Sequence, residues 1–264
     1  MPQNAVVDSL PVVHSERVIL ADDSKTNVHV LRQPLRRTVV GVASLGSAKR
    51  VTDVCDELGG RVTAAMSGGF FAREARQPLG ELWIAGTRQP YVPFQAPWHN
   101  TRGALHIGAD RITIDRRQML LEQPDGDLLQ AGPLLAVNGR PVTDLAMDGE
   151  GFRAGSQQFD SDITAGRYPR AAIGYDDMYV YGVVVDGRSD TDAGMTLTEL
   201  AVYMTERLGV AAALNLDGGG SATLVARDAA DAFQVINRPM DDYMRPTPGG
   251  SRALYSAIVF TKVR

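Results

Sequence analysis

The chain has 264 residues, of which 44% are hydrophobic and 22% charged, and its formal net charge is −4 at pH 7. A chain of this length buries roughly 70–75% of the surface that its unfolded form exposes, so its core needs no disulfides for stability. Acidic and basic residues are interleaved without a basic stripe, which argues against a nucleic-acid polymer or an anionic membrane as partner. We expect a small or locally charged ligand.

The single cysteine and the first residues of the chain limit which metal sites and which cellular location we expect. Cys55, the single cysteine, falls in an amphipathic pattern, which predicts a buried, inert thiol and excludes metal sites built from thiolates. Residues 1–4 lack the features of a secretory signal, and the longest apolar run, residues 178–185, is too short to span a bilayer. We therefore predict a cytoplasmic protein.

The first third of the chain predicts strands and one β-α-β unit. β-Branched or alternating runs predict strands at residues 17–20, 27–31 and 38–44. A helical pattern over residues 48–58 ends at a glycine pair and precedes an apolar strand at residues 62–66. That strand leads directly into Ser67-Gly68-Gly69.

The middle of the chain predicts irregular antiparallel structure. Strands are expected at residues 80–85, 103–107, 111–114 and 128–137, with turns at Ala109-Asp110 and Asn138-Gly139. Residues 144–168 are rich in Gly, Ser, Gln and Asp and show no periodicity, which predicts a long loop that covers a site or forms a mobile lid.

The last third predicts a second β-α-β unit. Strands at residues 171–175 and 179–185 precede a helix at 196–208, which Thr196 and Glu199 cap by their spacing, and a strand at 211–216. Further strands are expected at residues 222–226, 233–236 and 253–261. No linker divides the chain. We predict one α+β domain over residues 1–264, with mixed sheets, β-α-β units and helices packed on the sheet.

The segment from Asn215 to Thr223 carries the strongest functional signal. An apolar run delivers Asp217 into three consecutive glycines, Gly218, Gly219 and Gly220, which leave the backbone bare for the close approach of a ligand. Glycine amides beside the hydroxyl of Ser221 suit an anion such as phosphate. The segment lacks both the dinucleotide-binding spacing and the lysine of a phosphate-binding loop.

Two carboxylates are expected to meet at one edge of a sheet. Asp186 follows the strand at residues 179–185, Asp217 follows the strand at 211–216, and a helix joins the two strands, so they should run parallel. If both β-α-β units share a sheet, Ser67-Gly68-Gly69 joins the same crevice. Paired carboxylates suit cleavage of a glycosidic bond, and Arg170 and Arg188 suit binding of a phosphate.

Other ligands and other roles stay open at this point. Asp186, Asn215 and Asp217 could instead hold Mg²⁺ or Ca²⁺ through oxygen atoms, although no metal or other cofactor is expected to be required. The four histidines lack zinc-site spacing. Trp83, Trp98, Phe94 and Tyr91 could line a sugar platform, although packing in the core or in loops is the favoured interpretation.

Taken in order, several sequence blocks resemble those of the phosphodiester glycosidase family. They are Ser67-Gly68-Gly69-Phe70-Phe71, Gln130-Ala131-Gly132-Pro133 with Asn138-Gly139, Arg170-Ala171-Ala172-Ile173-Gly174, Asp186-Gly187-Arg188, Gly194-Met195-Thr196, Glu199-Leu200-Ala201, Asn215-Leu216-Asp217-Gly218-Gly219-Gly220-Ser221 and Asn237-Arg238-Pro239. Family members usually have Asn where this chain has Ser67, and Ser or Thr where it has Ala222. The lack of an apparent secretion signal suggests an intracellular, biosynthetic substrate.

The resemblance implies a hydrolase on an α+β scaffold that cleaves the bond between an anomeric carbon and a phosphodiester oxygen, releasing sugar and a phosphomonoester. The expected catalytic residues are Asp186 and Asp217, with Glu199 as an alternative acid or base. The expected substrate-binding residues are Ser67, Gly68, Gly69, Arg170, Arg188, Thr196, Asn215, Gly218, Gly219, Gly220 and Ser221. The alternatives are a metal-dependent phosphodiesterase that breaks the P–O bond and a non-catalytic sugar-phosphate-binding protein.

Overall fold

Strands dominate the fold. The computed structural model describes residues 11–145, 148–152 and 163–263. In chain order the strands are β1 (Val12–Ile19), β2 (Lys25–Pro34), β3 (Thr38–Lys49), β4 (Val62–Ser67), β5 (Phe71–Ala72), β6 (Gln77–Pro78), β7 (Leu82–Ile84), β8 (Thr87–Arg88), β9 (Gly103–Ile107), β10 (Ile112–Arg116), β11 (Asp127–Gln130), β12 (Leu134–Val137), β13 (Arg140–Pro141), β14 (Arg170–Tyr175), β15 (Tyr179–Val185), β16 (Ala212–Asn215), β17 (Leu224–Arg227), β18 (Phe233–Val235), β19 (Met240–Asp242), β20 (Arg245–Pro246) and β21 (Leu254–Lys262). The α-helices of the described residues are α1 (Val51–Leu58) and α2 (Leu197–Val202), and a π-helical turn, Tyr203–Arg207, extends α2.

The strands form three larger sheets and two short ribbons. Sheet I has the order β1-β2-β15-β14-β16-β12-β13, sheet II the order β18-β17-β4-β21-β3, and sheet III the order β10-β9-β11-β7-β8. The ribbons pair β5 with β6 and β19 with β20. Neighbouring strands run antiparallel in all of these sheets, as in the β15 to β14 and β14 to β16 pairs.

The predicted α+β class is therefore wrong. Each expected β-α-β unit has its helix, and the two strands that the helix joins do point the same way, but an antiparallel strand lies between them. β14 separates β15 from β16, and β21 separates β4 from β3. With two short α-helices and antiparallel strand pairing, the described structure is mostly β. The sequence did not predict this, because helix and strand patterns do not reveal which distant strand lies between the two strands of a β-α-β unit.

The two units also lie in different sheets, which contradicts the shared sheet that would have gathered their loops. β3 and β4 belong to sheet II, whereas β15 and β16 belong to sheet I. The ends of the two sheets nevertheless meet, because the Asp217 amide donates a hydrogen bond to the Gly68 carbonyl over 3.1 Å. Packing between the two sheets thus brings Gly68 and Asp217 together, as a shared sheet was expected to do.

The core lies between the sheets, and the helices cover the outer faces. Gly182 of β15 lets sheet I approach sheet II, since a Cβ there would lie 2.8 Å from the Met66 sulfur. On the other face of sheet I, Val183 packs with Leu200 of α2. Cys55 of α1 packs on sheet II, is fully buried, and has its pKa raised to about 12 by burial, which confirms the inert thiol.

Several predicted elements need adjustment. The strand expected at residues 128–137 is two strands, β11 in sheet III and β12 in sheet I, divided at Gly132-Pro133. The loop at 144–168 falls partly on residues 146–147 and 153–162, which lie outside the described residues, so its role as a mobile lid stays a prediction. Within the described part of the chain, no helix has the length and apolarity required to cross a bilayer.

Close backbone contact at Gly194 yields the first prediction. Gly194 has φ +82°, and a Cβ there would lie 2.5 Å from the backbone oxygen of Tyr168. Gly139 has a similar φ of +72° but open space around it. We expect Gly194→Ala to lower the free energy of unfolding by about 3 kcal/mol and Gly139→Ala by about 1 kcal/mol, because only the first adds a steric clash to the backbone strain. Urea unfolding of both variants measures the difference, and equal losses would contradict the contact.

Candidate active site

A cleft of about 630 Å³ opens where the ends of β14 and β16 meet the segment that follows β4. Of the predicted residues, it is lined by Arg170, Arg188, Asn215, Asp217, Gly218, Gly219 and Gly220. Ser67, Gly68, Gly69, Asp186, Thr196, Glu199 and Ser221 are not among its lining residues. The structure therefore gathers the glycine turn, one predicted catalytic carboxylate and both predicted arginines in one place.

The glycine turn is tightly packed against its surroundings. Gly219 has φ +58° and donates its amide hydrogen bond to the Pro169 carbonyl over 2.8 Å. A Cβ on Gly218 would lie 2.8 Å from the same Pro169 oxygen, and one on Gly220 would make the ends of the Asp241 and Arg252 side chains shift. The glycines are thus needed for close approach, and part of what approaches is the protein itself.

Asp217 is the carboxylate best placed for chemistry. It lies at the end of β16, only partly exposed, and burial raises its pKa to about 6. A hydrogen bond from the Ser221 hydroxyl and the positive charges of Arg252 and Arg73 act in the opposite direction. A carboxyl that titrates near neutral pH in a cleft is the kind of group that acts as acid or base in catalysis.

Arginines give the cleft its positive character. Among the described residues, four arginines, Arg73, Arg170, Arg188 and Arg252, line it together with three carboxylates, those of Glu74, Asp217 and Asp241. One of these carboxylates is already neutralised, since Arg252 Nη2 lies 2.6 Å from Asp241 Oδ1. The remaining balance favours an anionic ligand, as a phosphodiester is.

The two predicted phosphate-binding arginines also support the cleft wall. Arg170 is buried and donates to the backbone carbonyls of Met195, Ile163 and Gly166 at 2.9–3.1 Å. Arg188 donates to the backbone carbonyls of β19, and its pKa is lowered by burial. Both guanidinium groups lie over the Tyr168 ring, at 5.3 and 5.6 Å from its centroid.

Asp186 emerges at the same edge of sheet I as Asp217, as predicted, but in a different environment. It is buried, its Oδ2 lies 3.0 Å from His29 Nε2, and its Oδ1 accepts the Arg238 amide hydrogen at 2.8 Å. His29 Nδ1 in turn lies 2.8 Å from the Ser15 hydroxyl. These contacts suit a residue that holds the loop after β18 against sheet I.

Glu199 and Thr196 perform the capping role that their spacing indicates. Thr196 Oγ1 accepts the Glu199 amide hydrogen, and Glu199 Oε2 accepts the Thr196 amide hydrogen, at 3.1 and 2.8 Å. Glu199 also pairs with Arg167 at 2.6 Å. Burial works to raise the pKa of Glu199, but the hydrogen bonds from Arg167 and Thr196 outweigh it and lower that pKa.

Ser67, Gly68 and Gly69 lie behind the cleft wall. A Cβ on Gly68 would lie 2.8 Å from the Ser256 backbone, so β21 requires this glycine, and the Gly69 amide donates to Ser256 Oγ over 3.1 Å. The buried Ser67 hydroxyl, the buried Thr223 hydroxyl and the Asn215 side-chain oxygen have no hydrogen-bond partner among the described residues. The Asn215 amide nitrogen donates to the Gly132 and Leu216 carbonyls.

Of the predicted oxygen ligands of a divalent cation, Asn215 and Asp217 line the cleft and Asp186 does not. No group of three or more His, Cys, Asp or Glu side chains suited to a metal occurs in the part of the chain that the structure describes. Both Asp186 oxygens are engaged, by His29 and by the Arg238 amide. The metal requirement of the protein stays a prediction to be tested.

The lining residues that the sequence did not predict include Arg73, Tyr168, Asp241 and Arg252. Arg73 comes two residues after Phe71, and its position close to Ser67-Gly68-Gly69 in the sequence could have identified it as a candidate site residue. Asp241 lies on the short strand β19 and Arg252 just before β21, in a polar stretch without sequence periodicity, and only folding brings Arg252 within 3.4 Å of the Ser221 hydroxyl. No pattern in the sequence marks that contact.

The chain belongs to the phosphodiester glycosidase family, whose model matches residues 60–261. This match confirms the resemblance that the sequence blocks indicate. A search of curated proteins finds no match.

Solved structures show the same fold at low identity. A hypothetical protein from Synechocystis aligns with a TM-score of 0.66 and 17% identity over 95% of this chain, which spans 61% of that protein. The zebrafish N-acetylglucosamine-1-phosphodiester alpha-N-acetylglucosaminidase catalytic domain, auto-inhibited by its pro-peptide, gives 0.65 and 19% over 96% of this chain and 83% of that one. A putative exported protein from Burkholderia pseudomallei gives 0.62 and 15% over 90% of this chain and 74% of that one.

The raised pKa of Asp217 predicts how its substitution changes stability. Between the ordinary pKa of 3.8 and the folded value of about 6, the folded state holds a proton that the unfolded state releases, so stability falls as pH rises through this window. We expect Asp217→Asn to raise the free energy of unfolding by about 1–3 kcal/mol at pH 8 and to have little effect near pH 3.5. Chemical unfolding at both pH values measures this.

The control is Asp56→Asn, an exposed aspartate of α1. It should leave the free energy of unfolding nearly unchanged at both pH values. An Asp217→Asn variant that gains stability only at low pH would contradict the raised pKa.

Proposed function

We propose that this protein is a hydrolase that cleaves the anomeric C–O bond of a sugar 1-phosphodiester, releasing free sugar and a phosphomonoester. The observation that carries the proposal is Asp217, a carboxyl whose pKa is raised to about 6, in a cleft that four arginines line. Membership of the phosphodiester glycosidase family supports the bond class. The zebrafish relative is named for action on an N-acetylglucosamine 1-phosphodiester, which suggests the first substrate to try.

The arginines would bind and stabilise the phosphate. A phosphomonoester leaves as a weakly basic anion, so preorganised positive charge can stabilise its departure without a strong general acid. Arg188 and Arg252 both lie close to the glycine turn, since their guanidinium groups would lie within 3.3 Å of a Cβ on Gly219 and on Gly220, respectively. A phosphate placed at this turn would meet two guanidinium groups, which bind phosphate oxygens in bidentate fashion.

Asp217 would act on the sugar. With the leaving group stabilised by arginines, the chemistry still needs a base or nucleophile at the anomeric carbon, and a carboxylate supplies either. Asp217 in its ionised form therefore activates water or attacks the anomeric carbon directly. Asp186, buried and bonded to His29 and the Arg238 amide, would position the neighbouring loop.

Isotope labelling tests which bond breaks. Hydrolysis of the methyl phosphodiester of α-N-acetylglucosamine 1-phosphate in ¹⁸O-water should place the label in the sugar, because water attacks carbon. Label in the phosphate would overturn the proposal and support a phosphodiesterase. Dialysis against EDTA should leave turnover intact, and loss that Mg²⁺ restores would likewise favour the metal-dependent alternative.

Substitution of Asp217 separates an enzyme from a binding protein. We expect Asp217→Asn to lower kcat by about 10²–10⁴-fold, since it removes a positioned acid–base group, while Asp56→Asn leaves kcat unchanged. Calorimetry should still detect binding of the phosphodiester by the variant. If the wild type binds but gives no product in long incubations, the protein is a sugar-phosphate-binding module.

The pH profile gives an independent prediction. Because the ionised form of Asp217 is the active one, kcat/KM should rise with pH along an acid limb with an apparent pKa of about 6. The positive charge of Arg252 lowers that pKa, so Arg252→Met should move the limb to higher pH as well as weaken substrate binding. Asp56→Asn serves again as control, and an unmoved limb in Arg252→Met would contradict the coupling.

The cellular setting stays a prediction. The sequence predicts a small sugar-phosphate substrate, no nucleic-acid or membrane partner and a cytoplasmic location. One structural relative is described as a putative exported protein, so fractionation of the native host is the appropriate measurement of location.

A further inference from the structure

A second cleft, of about 560 Å³, lies on sheet III, and none of the described residues lines both clefts. The segment from Tyr91 to Phe94 separates the two, because Val92 lines the first cleft whereas Tyr91, Pro93 and Phe94 line the second. Nothing in the proposed reaction uses this second cleft.

The floor of the second cleft is polar but electrically balanced. Arg117 is buried and pairs with Glu81 through two hydrogen bonds, and it also donates to the backbone carbonyls of Leu121 and Glu122 at 2.9 and 3.0 Å. Gln130 donates to the His99 carbonyl and accepts the Glu81 amide hydrogen. The charges of the floor therefore neutralise each other and do not call for an anionic ligand.

Two aromatic side chains stand on this floor in fixed positions. The Trp83 indole nitrogen donates to Glu81 Oε1 over 2.7 Å, which holds the half-buried ring by one edge. The Tyr91 hydroxyl accepts a hydrogen bond from Arg88, whose guanidinium also lies 5.0 Å from the ring centroid. Such rings offer flat apolar surface with little conformational entropy to lose on binding.

The rim of the second cleft carries three side-chain amides that have no hydrogen-bond partner among the described residues. Asn100, Gln118 and Gln123 line the cleft with exposed side chains, and those side chains make no hydrogen bond to any described residue. Each amide offers two donors and an acceptor, a combination that suits hydroxyl groups, which both donate and accept.

We propose that this second cleft binds a neutral saccharide. A pyranose has an apolar face that suits the Trp83 and Tyr91 rings and a ring of hydroxyls that suits Asn100, Gln118 and Gln123. A phosphate-bearing ligand fits less well, because the two lining arginines, Arg88 and Arg117, are matched by two lining carboxylates, Glu81 and Glu122. This site goes beyond the proposed hydrolysis and would hold part of a glycan beside the first cleft.

Nuclear magnetic resonance can test the site directly, since the chain has two tryptophans, Trp83 and Trp98. Maltotriose, cellotriose and triacetylchitotriose are titrated into the uniformly ¹⁵N-labelled protein. At least one should move the Trp83 indole signal saturably at millimolar concentration and leave the Trp98 signal in place. The Asp217→Asn variant should give the same titration, which separates this site from the proposed catalytic one.

Variants of the rim complete the test. Gln118→Ala combined with Gln123→Ala should raise Kd by at least about fivefold, because it removes two hydrogen-bonding groups. The matched control Gln234→Ala, an exposed glutamine on β18, should leave Kd unchanged. No saturable shift of Trp83 with any trisaccharide up to 20 mM, a shift that the paired variant does not weaken, or a shift with inorganic phosphate alone would each overturn the proposal.

Discussion

The hydrogen bond from the Asp217 amide to the Gly68 carbonyl joins the ends of sheets I and II, and the first cleft depends on that junction. Asp217 follows β16 of sheet I, whereas Gly68 follows β4 of sheet II. The junction requires glycine at two positions, because a side chain at Gly68 would clash with Ser256 and one at Gly218 would clash with the Pro169 carbonyl. Glycine at these positions is therefore first a packing requirement, and the approach of a ligand becomes possible because the packing has already removed the side chains.

The electrostatics of the cleft follow from the same packing. Burial disfavours the charged form of Asp217, while the nearby Arg252 and Arg73 favour it, and the balance leaves a pKa of about 6. The arginines are themselves anchored: Arg252 bonds to Asp241, and Arg170 to the backbone carbonyl of Met195. Because burial makes Asp217 costly to ionise, the fold loses stability as the pH rises from 3.8 to about 6, and this loss is the expected cost of a preorganised site.

The sequence allowed the local elements and the main motif to be predicted, but not the pairing of strands. β15 and β9 have the predicted bounds, and Asp186 and Asp217 do emerge at one edge of sheet I. Insertion of β14 and β21 between the strands of each β-α-β unit turned an expected α+β fold into a mostly antiparallel one. Strand pairing of this kind depends on contacts between segments that are distant in the sequence. The contacts of Arg252 with Ser221 and of His29 with Asp186 are also of this kind, so no local spacing predicts them.

The wall between the two clefts is held by backbone hydrogen bonds, which bears on how the clefts would act together. The Val92 amide donates to the Pro78 carbonyl, and the Gly80 amide donates to the Val92 carbonyl, both over 2.8 Å. On the far side of the wall, Phe94 is buried and packs edge to face with Phe70, which lines the first cleft. A ligand bound in one cleft therefore cannot easily change the shape of the wall that faces the other cleft. Any influence of a bound saccharide on hydrolysis would then act by holding the substrate close, which raises its effective concentration, rather than by remodelling Asp217 and its arginines.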